Sequence, residues 1–297
     1  MPCRRLVIAV CICSLALRAR AEAVVRVVAT IFPIADIVRQ IGDDAVEVVT
    51  LLPPGASPHT FEPTPAQMRA VAEARVFVRV GAGLDSWTEK LLAARSPALA
   101  VVTLTDGVRL LSLTGEPAAE TAAGGHAGDP HIWLDPVLVR DQVVPAISMA
   151  LTEAAPAQRN VFETGAAAFR VALTRLDADL QALLAPLPHR NFIGFHAAWR
   201  YFGERYGLHQ VAVVEAFPGK EPSARDIAAV VEKGRAAHVR AILIEPQMNP
   251  RVAEQIARDC GAQTSVVDEL GAPNLPGRNH YLDLMRYNSH VFAEALR

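Results

Sequence analysis

The sequence predicts an α/β protein of two lobes, each with a parallel sheet flanked by helices, joined by one long backbone helix. Three observations carry that expectation. Short β-branched runs alternate with amphipathic helical patterns in two separate stretches, the order that gives parallel sheets covered on both faces by right-handed crossovers. One long helical pattern lies between the stretches. At 297 residues, the chain also exceeds the size at which a single core usually stops growing.

The first stretch predicts strands at 24–30, 46–52, 76–80 and 101–104, with helices at 34–41, 65–74 and 86–94. The second predicts strands at 191–195, 210–214, 241–244 and 264–267, with helices at 197–206, 223–237 and 250–260. The pattern between them runs from 157 to 184, opening just after Pro156 and stopping before Pro186 and Pro188. Proline suits a first helical turn and ends a helix from outside. Leu173, Leu176, Leu180, Leu183 and Leu184 keep a 3.6-residue stripe, as a helix packed on one side requires. At 1.5 Å per residue the rod spans about 42 Å, long enough to reach both lobes and stiff enough to restrict their relative motion. The expected domains are a signal peptide at 1–23, an N-terminal lobe at 24–155, a linking helix at 156–186 and a C-terminal lobe at 187–297.

Arg4 and Arg5 precede an apolar run at 6–17, and the small residues Ala19, Ala21 and Ala23 follow. A basic start, a short apolar middle and an Ala-x-Ala end describe a cleavable secretory signal, cut after Ala23 or Ala21, and predict a periplasmic protein. The run is too short to cross a bilayer as a resident helix. Cys3, Cys11 and Cys13 would leave with it, and neither Val10 nor Ile12 is the small residue that a lipoprotein cleavage site needs. Only Cys260 would remain, so no intramolecular disulfide is expected. Of 29 basic and 31 acidic side chains, residues 1–23 hold four arginines and one glutamate, leaving 25 and 30. That acidic balance argues against nucleic acid or an anionic membrane as partner.

Four residues stand where a parallel sheet gathers its ligand groups, outside the carboxyl ends of strands. His59 follows the strand at 46–52 within a proline-rich turn, and His131 lies in Asp129-Pro130-His131 after a glycine- and alanine-rich stretch at 112–129. That stretch lacks periodicity and reads as a surface loop. His196 follows the strand at 191–195, and Asp268 ends the strand at 264–267. Three imidazoles and one carboxylate suit a tetrahedral Zn²⁺ site. Glu269, beside Asp268, is the less favoured alternative oxygen donor, because neighbours at a strand end point to different sides. Trp133 and Trp199 are expected to shield the cleft. Glu245, at a strand end with Pro246 and Gln247, reads as lobe surface or cleft wall rather than as a general base, and His189, His209, His238, His280 and His290 as structural or surface residues.

Five segments resemble the zinc- and manganese-binding solute receptors of ABC importers, known as cluster A-I or the zinc-uptake-protein family. They are residues 58–65 (PHTFEPTP), 129–136 (DPHIWLDP), 195–202 (FHAAWRYF), 219–232 (opening GKEPS) and 267–271 (VDELG). The resemblance implies two α/β lobes on a rigid helix, with metal between them. It carries the four ligand positions onto His59, His131, His196 and Asp268. Family members specialised for manganese or iron tend to have glutamate at the third position, so His196 favours zinc over Mn²⁺, in keeping with the preference of imidazole for zinc.

The implied function is a periplasmic, high-affinity zinc receptor, a monomer that delivers Zn²⁺ to an inner-membrane ABC permease. Zinc members often carry a histidine-rich loop before the second ligand, whereas 112–129 holds only His126. The stretch is then a plain solvated loop, with a metal-donating periplasmic protein as an alternative source of metal. A zinc hydrolase is the rival reading. The chain lacks H-E-x-x-H, and four protein donors close the position that a catalytic zinc keeps open for water. Neither Asp85-Ser86 nor the Ser223 segment forms a serine-hydrolase elbow, so no enzyme is expected. An adhesin, a role reported for some relatives, would be expected to carry the missing lipid anchor.

Overall fold

The computed structural model describes residues 24–93, 95–112, 128–215 and 219–297. The expected leader, and residues 113–127 with His126, lie outside these.

Strands β1 (Val25–Ala29), β2 (Val46–Thr50), β3 (Val76–Arg79) and β4 (Ala100–Thr103) form one parallel sheet in the order β2-β1-β3-β4. Strands β5 (Asn191–Gly194), β6 (His209–Val213), β7 (Ala241–Ile244) and β8 (Gln263–Val266) form a second in the equivalent order β6-β5-β7-β8. The central strands are mostly apolar, because helices cover both faces: all four residues of β7 are buried, and β1 exposes only Arg26. The edge strand β2 alternates instead, with Val49 exposed. In each sheet the strand order reverses beside the first strand. That reversal opens a crevice at the carboxyl ends of β1 and β3, and of β5 and β7.

Helices α1 (Phe32–Gly42), α2 (Pro65–Glu73), α3 (Thr88–Leu92), α4 (Pro136–Leu138) and α5 (Val144–Ala154) serve the first lobe, a π turn at Val139–Val143 joining the last two. The backbone helix α6 runs from Arg159 to Leu184 after a 3₁₀ turn at Pro156–Gln158. Helices α7 (Arg200–Tyr206), α8 (Ala224–Ala236), α9 (Pro250–Cys260) and α10 (Tyr281–Ala295) follow. Helix α7 starts at Arg200 rather than 197, which leaves His196 in a turn. No strong period marks 281–295 in the sequence, because Asn288 and Ser289 interrupt the apolar positions, yet both are buried in α10. Among the described residues no helix is long and apolar enough to cross a membrane.

The buried face of α6 (Phe162, Ala166, Phe169, Leu173, Leu176, Leu180 and Leu184) packs on α1 of the first lobe and α10 of the second. One core runs without interruption from Val27 and Ile34, through Phe169 and Leu176, to Trp199 and Phe292. Such continuity resists hinge opening, since packed cores do not deform smoothly.

Gly165 marks the tightest approach of α6 to α1: a β-carbon there would stand 2.2 Å from the carbonyl oxygen of Ile41. Gly165→Ala is expected to lower stability by about 1–2 kcal/mol, overpacking outweighing the gain in helix propensity. Urea unfolding checks this; an unchanged or raised midpoint would mean that the helices do not touch there.

Candidate metal centre

His59 sits in the proline-rich turn after β2. Trp87, just before α3, donates its indole N–H to the carbonyl of Pro58 at 2.9 Å, and Phe61 packs edge-on against the same indole. The peptide entering His59 is thereby pinned to the lobe. Buried Asp85 holds the preceding turn by accepting the amides of Val80 and Gly81 and the hydroxyl of Thr30.

His131 belongs to the first lobe by sequence, but the second lobe holds its segment. Tyr201 donates its hydroxyl to the carbonyl of Asp129, and Tyr281 donates to that of Trp133 at 2.7 Å. The Trp133 indole in turn donates to the carbonyl of Glu269 at 2.8 Å, and Arg205 grips Asp135 with two bonds of 2.9 and 2.7 Å. Inside this frame Asp129 Oδ1 accepts the backbone N–H of His131 at 3.0 Å and lies 2.7 Å from its Nδ1. Nε2 is left facing the cleft.

His196 leaves β5 two residues beyond Gly194, which pairs with Leu243 of β7. Glu245 lies the same two residues beyond Leu243, so the parallel register sets the two side by side. Glu245 Oε1 is 3.0 Å from His196 Nδ1, and Gln210 fixes the His196 carbonyl with a 3.0 Å bond.

The three rings converge. Their centroids are 5.4 Å (His59–His131), 5.3 Å (His131–His196) and 6.0 Å (His59–His196) apart, and one nitrogen from each lies within 4.8 Å of the other two. A tetrahedral ion about 2.0–2.1 Å from each nitrogen places the centroids roughly 5.2 Å apart, so the rings stand close to the spacing a small ion requires. Nε2 of His59, His131 and His196 is buried in each case and has no hydrogen-bond partner among the described residues. Buried nitrogens normally have a partner, and a cation set among these three could take the lone pair of each once His196 is deprotonated.

Burial, aided by the neighbouring His131 and His196, drives the His59 pKa down to about 2. Burial likewise lowers that of His131, against the pull of Asp129. Burial opposes charge on His196 as well, but Glu245 and Glu269 outweigh it and raise the pKa to about 10. A cation entering the cleft therefore meets two neutral imidazoles and one protonated imidazole, and must displace the latter's proton to bind Nε2.

Of the four ligand positions expected from the sequence, the fold brings together His59, His131 and His196; it does not bring Asp268 into the group. The Asp268 carboxylate is occupied in building its own loop. Oδ1 accepts the amides of Leu270 and Gly271 at 3.0 and 2.8 Å, and Oδ2 pairs with Arg278 at 3.0 Å. Glu269 faces inward instead. Its Oε1 lies 3.8 Å from His196 Nε2 and accepts from Gln247 at 2.8 Å, while its Oε2 has no partner among the described residues. Burial raises the Glu269 carboxyl to about 8, against the attraction of His196. A second donor group of His196, Glu245 and Glu269 thus adjoins the first. Glu245 is buried in the cleft behind His196 and is no part of the surface. The β5–β7 register that sets it beside His196 is not readable from either strand alone.

Fold and site together fall in the class of two-lobed, metal-binding solute receptors. The chain belongs to the family described as zinc-uptake complex component A, periplasmic, whose model matches residues 27–295. The high-affinity zinc uptake system protein ZnuA of Bacillus subtilis is 28% identical over 278 residues, covering 91% of this chain and 87% of that protein. The zinc-binding protein AdcA of Streptococcus pyogenes is 27% identical over 285 residues; the match covers 90% of this chain but only 55% of AdcA. A crystal structure of ZnuA matches with a TM-score of 0.81 at 31% identity, covering 93% of this chain and all of that one.

Tyr281→Phe removes only the hydroxyl that joins α10 to the His131 segment. It is expected to lower stability by about 1–2 kcal/mol, because the buried carbonyl of Trp133 loses its partner. Thermal unfolding of the metal-free protein checks this; no change would mean that the contact does not tie the lobes.

Proposed function

We propose that the protein captures Zn²⁺ in the cleft between its lobes, with high affinity, and delivers it to the inner-membrane permease of an ABC importer. The convergence of three buried, unpartnered imidazole nitrogens carries this reading. Nε2 of His59, His131 and His196 supplies three donors, and the inward-facing Glu269 supplies the fourth in place of Asp268. Three nitrogens and one oxygen suit zinc in a closed tetrahedral site, whereas Mn²⁺ favours more oxygen donors. Four protein donors leave no open position for an activated water, which favours a receptor over a hydrolase. Membership of a periplasmic zinc-uptake family, together with the signal-like sequence at 1–23, supports export to the periplasm and a permease as partner.

Competition titration against a chromophoric chelator tests the ligand set. His59→Ala and His196→Ala are expected to lower zinc affinity by at least about a hundredfold. Unchanged affinity in both would sink the proposal.

The same titration separates the two carboxylates. Glu269→Gln is expected to cost about tenfold or more in affinity. Asp268→Asn should instead lower the melting temperature of the metal-free protein, with a smaller effect on zinc. The reverse pattern would return the fourth position to Asp268.

A further inference from the structure

Two buried carboxylates flank the ring of His196, one at each nitrogen. Glu269 Oε1 is 3.8 Å from Nε2, the nitrogen left for the cleft. Glu245 Oε1 is 3.0 Å from Nδ1, in ion-pair range though short of hydrogen-bond alignment. The two nitrogens of an imidazole point about 140° apart, so an oxygen on Nδ1 lies off the direction of the Nε2 lone pair, although ligand atoms of Glu245 and Glu269 stand within 4.8 Å of each other. Glu245 Oε1 also accepts the indole N–H of Trp199 at 2.8 Å, which fixes the carboxylate from a second direction. His196 and Glu245 are almost wholly shielded from solvent, and their proximity follows from the register of two adjacent central strands.

We propose that Glu245 is a positioning residue for the bound cation: it holds the proton of His196 on Nδ1 and fixes the ring plane, so that Nε2 presents its lone pair to the ion. The inference rests on the zinc-receptor reading of the site. An imidazole that binds metal through Nε2 carries its proton on Nδ1, and a buried N–H requires an acceptor. A carboxylate is the strongest acceptor available there and makes the opposite nitrogen a better donor. Asp129 stands in the same relation to His131, at 2.7 Å from Nδ1. It also holds the backbone of its loop, so replacing it would disturb ring and loop together. The Glu245 side chain meets the His196 ring and the Trp199 indole, which makes it the cleaner probe.

Glu245→Gln keeps the size and an oxygen acceptor but removes the charge; Glu245→Leu removes both. Zinc affinity, by competition titration of the chain from residue 24 onward, is expected to fall about tenfold in the first and up to about a hundredfold in the second. Proton NMR of the zinc-loaded protein supplies a readout that a merely structural role would not move. The His196 Nδ1–H resonance should lie far downfield in the parent and shift upfield in E245Q. Unchanged affinity in both variants, or an unmoved Nδ1–H resonance in E245Q, overturns the assignment; if E245L fails to fold, E245Q alone decides. Loss of zinc in His196→Ala with none in E245Q and E245L removes the role of Glu245 and leaves the receptor reading standing. Retention of zinc in both His196→Ala and His59→Ala removes that reading itself.

Discussion

Everything in the cleft depends on one constraint: three imidazole nitrogens are taken out of water, turned toward one another and left without a protein partner. Buried polar groups are normally hydrogen-bonded, and the described polar atoms around these three mostly are. The carbonyls of Pro58, Asp129, Trp133 and His196 all accept side-chain donors. The exceptions cluster where a cation fits. Burial keeps His59 and His131 neutral and therefore able to donate, while Glu245 and Glu269 stand beside the ring of His196. The chemistry of the cleft is that of a Lewis base in search of a small, hard-to-satisfy Lewis acid.

Holding that arrangement is the work of the fold. Each ligand loop leaves a strand end or a capped turn, and each is tied down by an indole or phenol that reaches across. The His131 segment matters most, because it starts in one lobe and is fastened to the other through Tyr201, Trp133, Tyr281 and Arg205. With α6 threading a continuous core through both lobes, the cleft is closer to a preformed cage than to a pair of jaws. A preorganised site loses little ordering entropy when its ligand arrives.

Much of this was legible in the sequence, for physical reasons that differ by element. The parallel strands announced themselves as β-branched runs, because both faces of a central strand are buried. Helix α6 announced itself as a leucine stripe bounded by prolines. His59, His131 and His196 were legible because strand ends in such sheets gather ligands and because the surrounding motifs resemble those of a known family. The occupation of the Asp268 carboxylate was not legible. Its oxygens accept the amides of Leu270 and Gly271 and pair with Arg278, ten residues on, while Asn288, twenty residues on, holds its backbone. Helix α10 was hidden by its buried Asn288, whose side chain serves the backbone of Asp268 and so breaks the apolar period. Glu245 was hidden because strand register is not written in either strand alone.

X-ray absorption at the zinc edge of the zinc-loaded protein tests the central claim most directly, since the outer-shell scattering counts imidazoles. The account predicts three imidazole nitrogens and one further oxygen donor at about 2.0–2.1 Å. Two or fewer imidazoles, or a sulfur donor at about 2.3 Å, would contradict it.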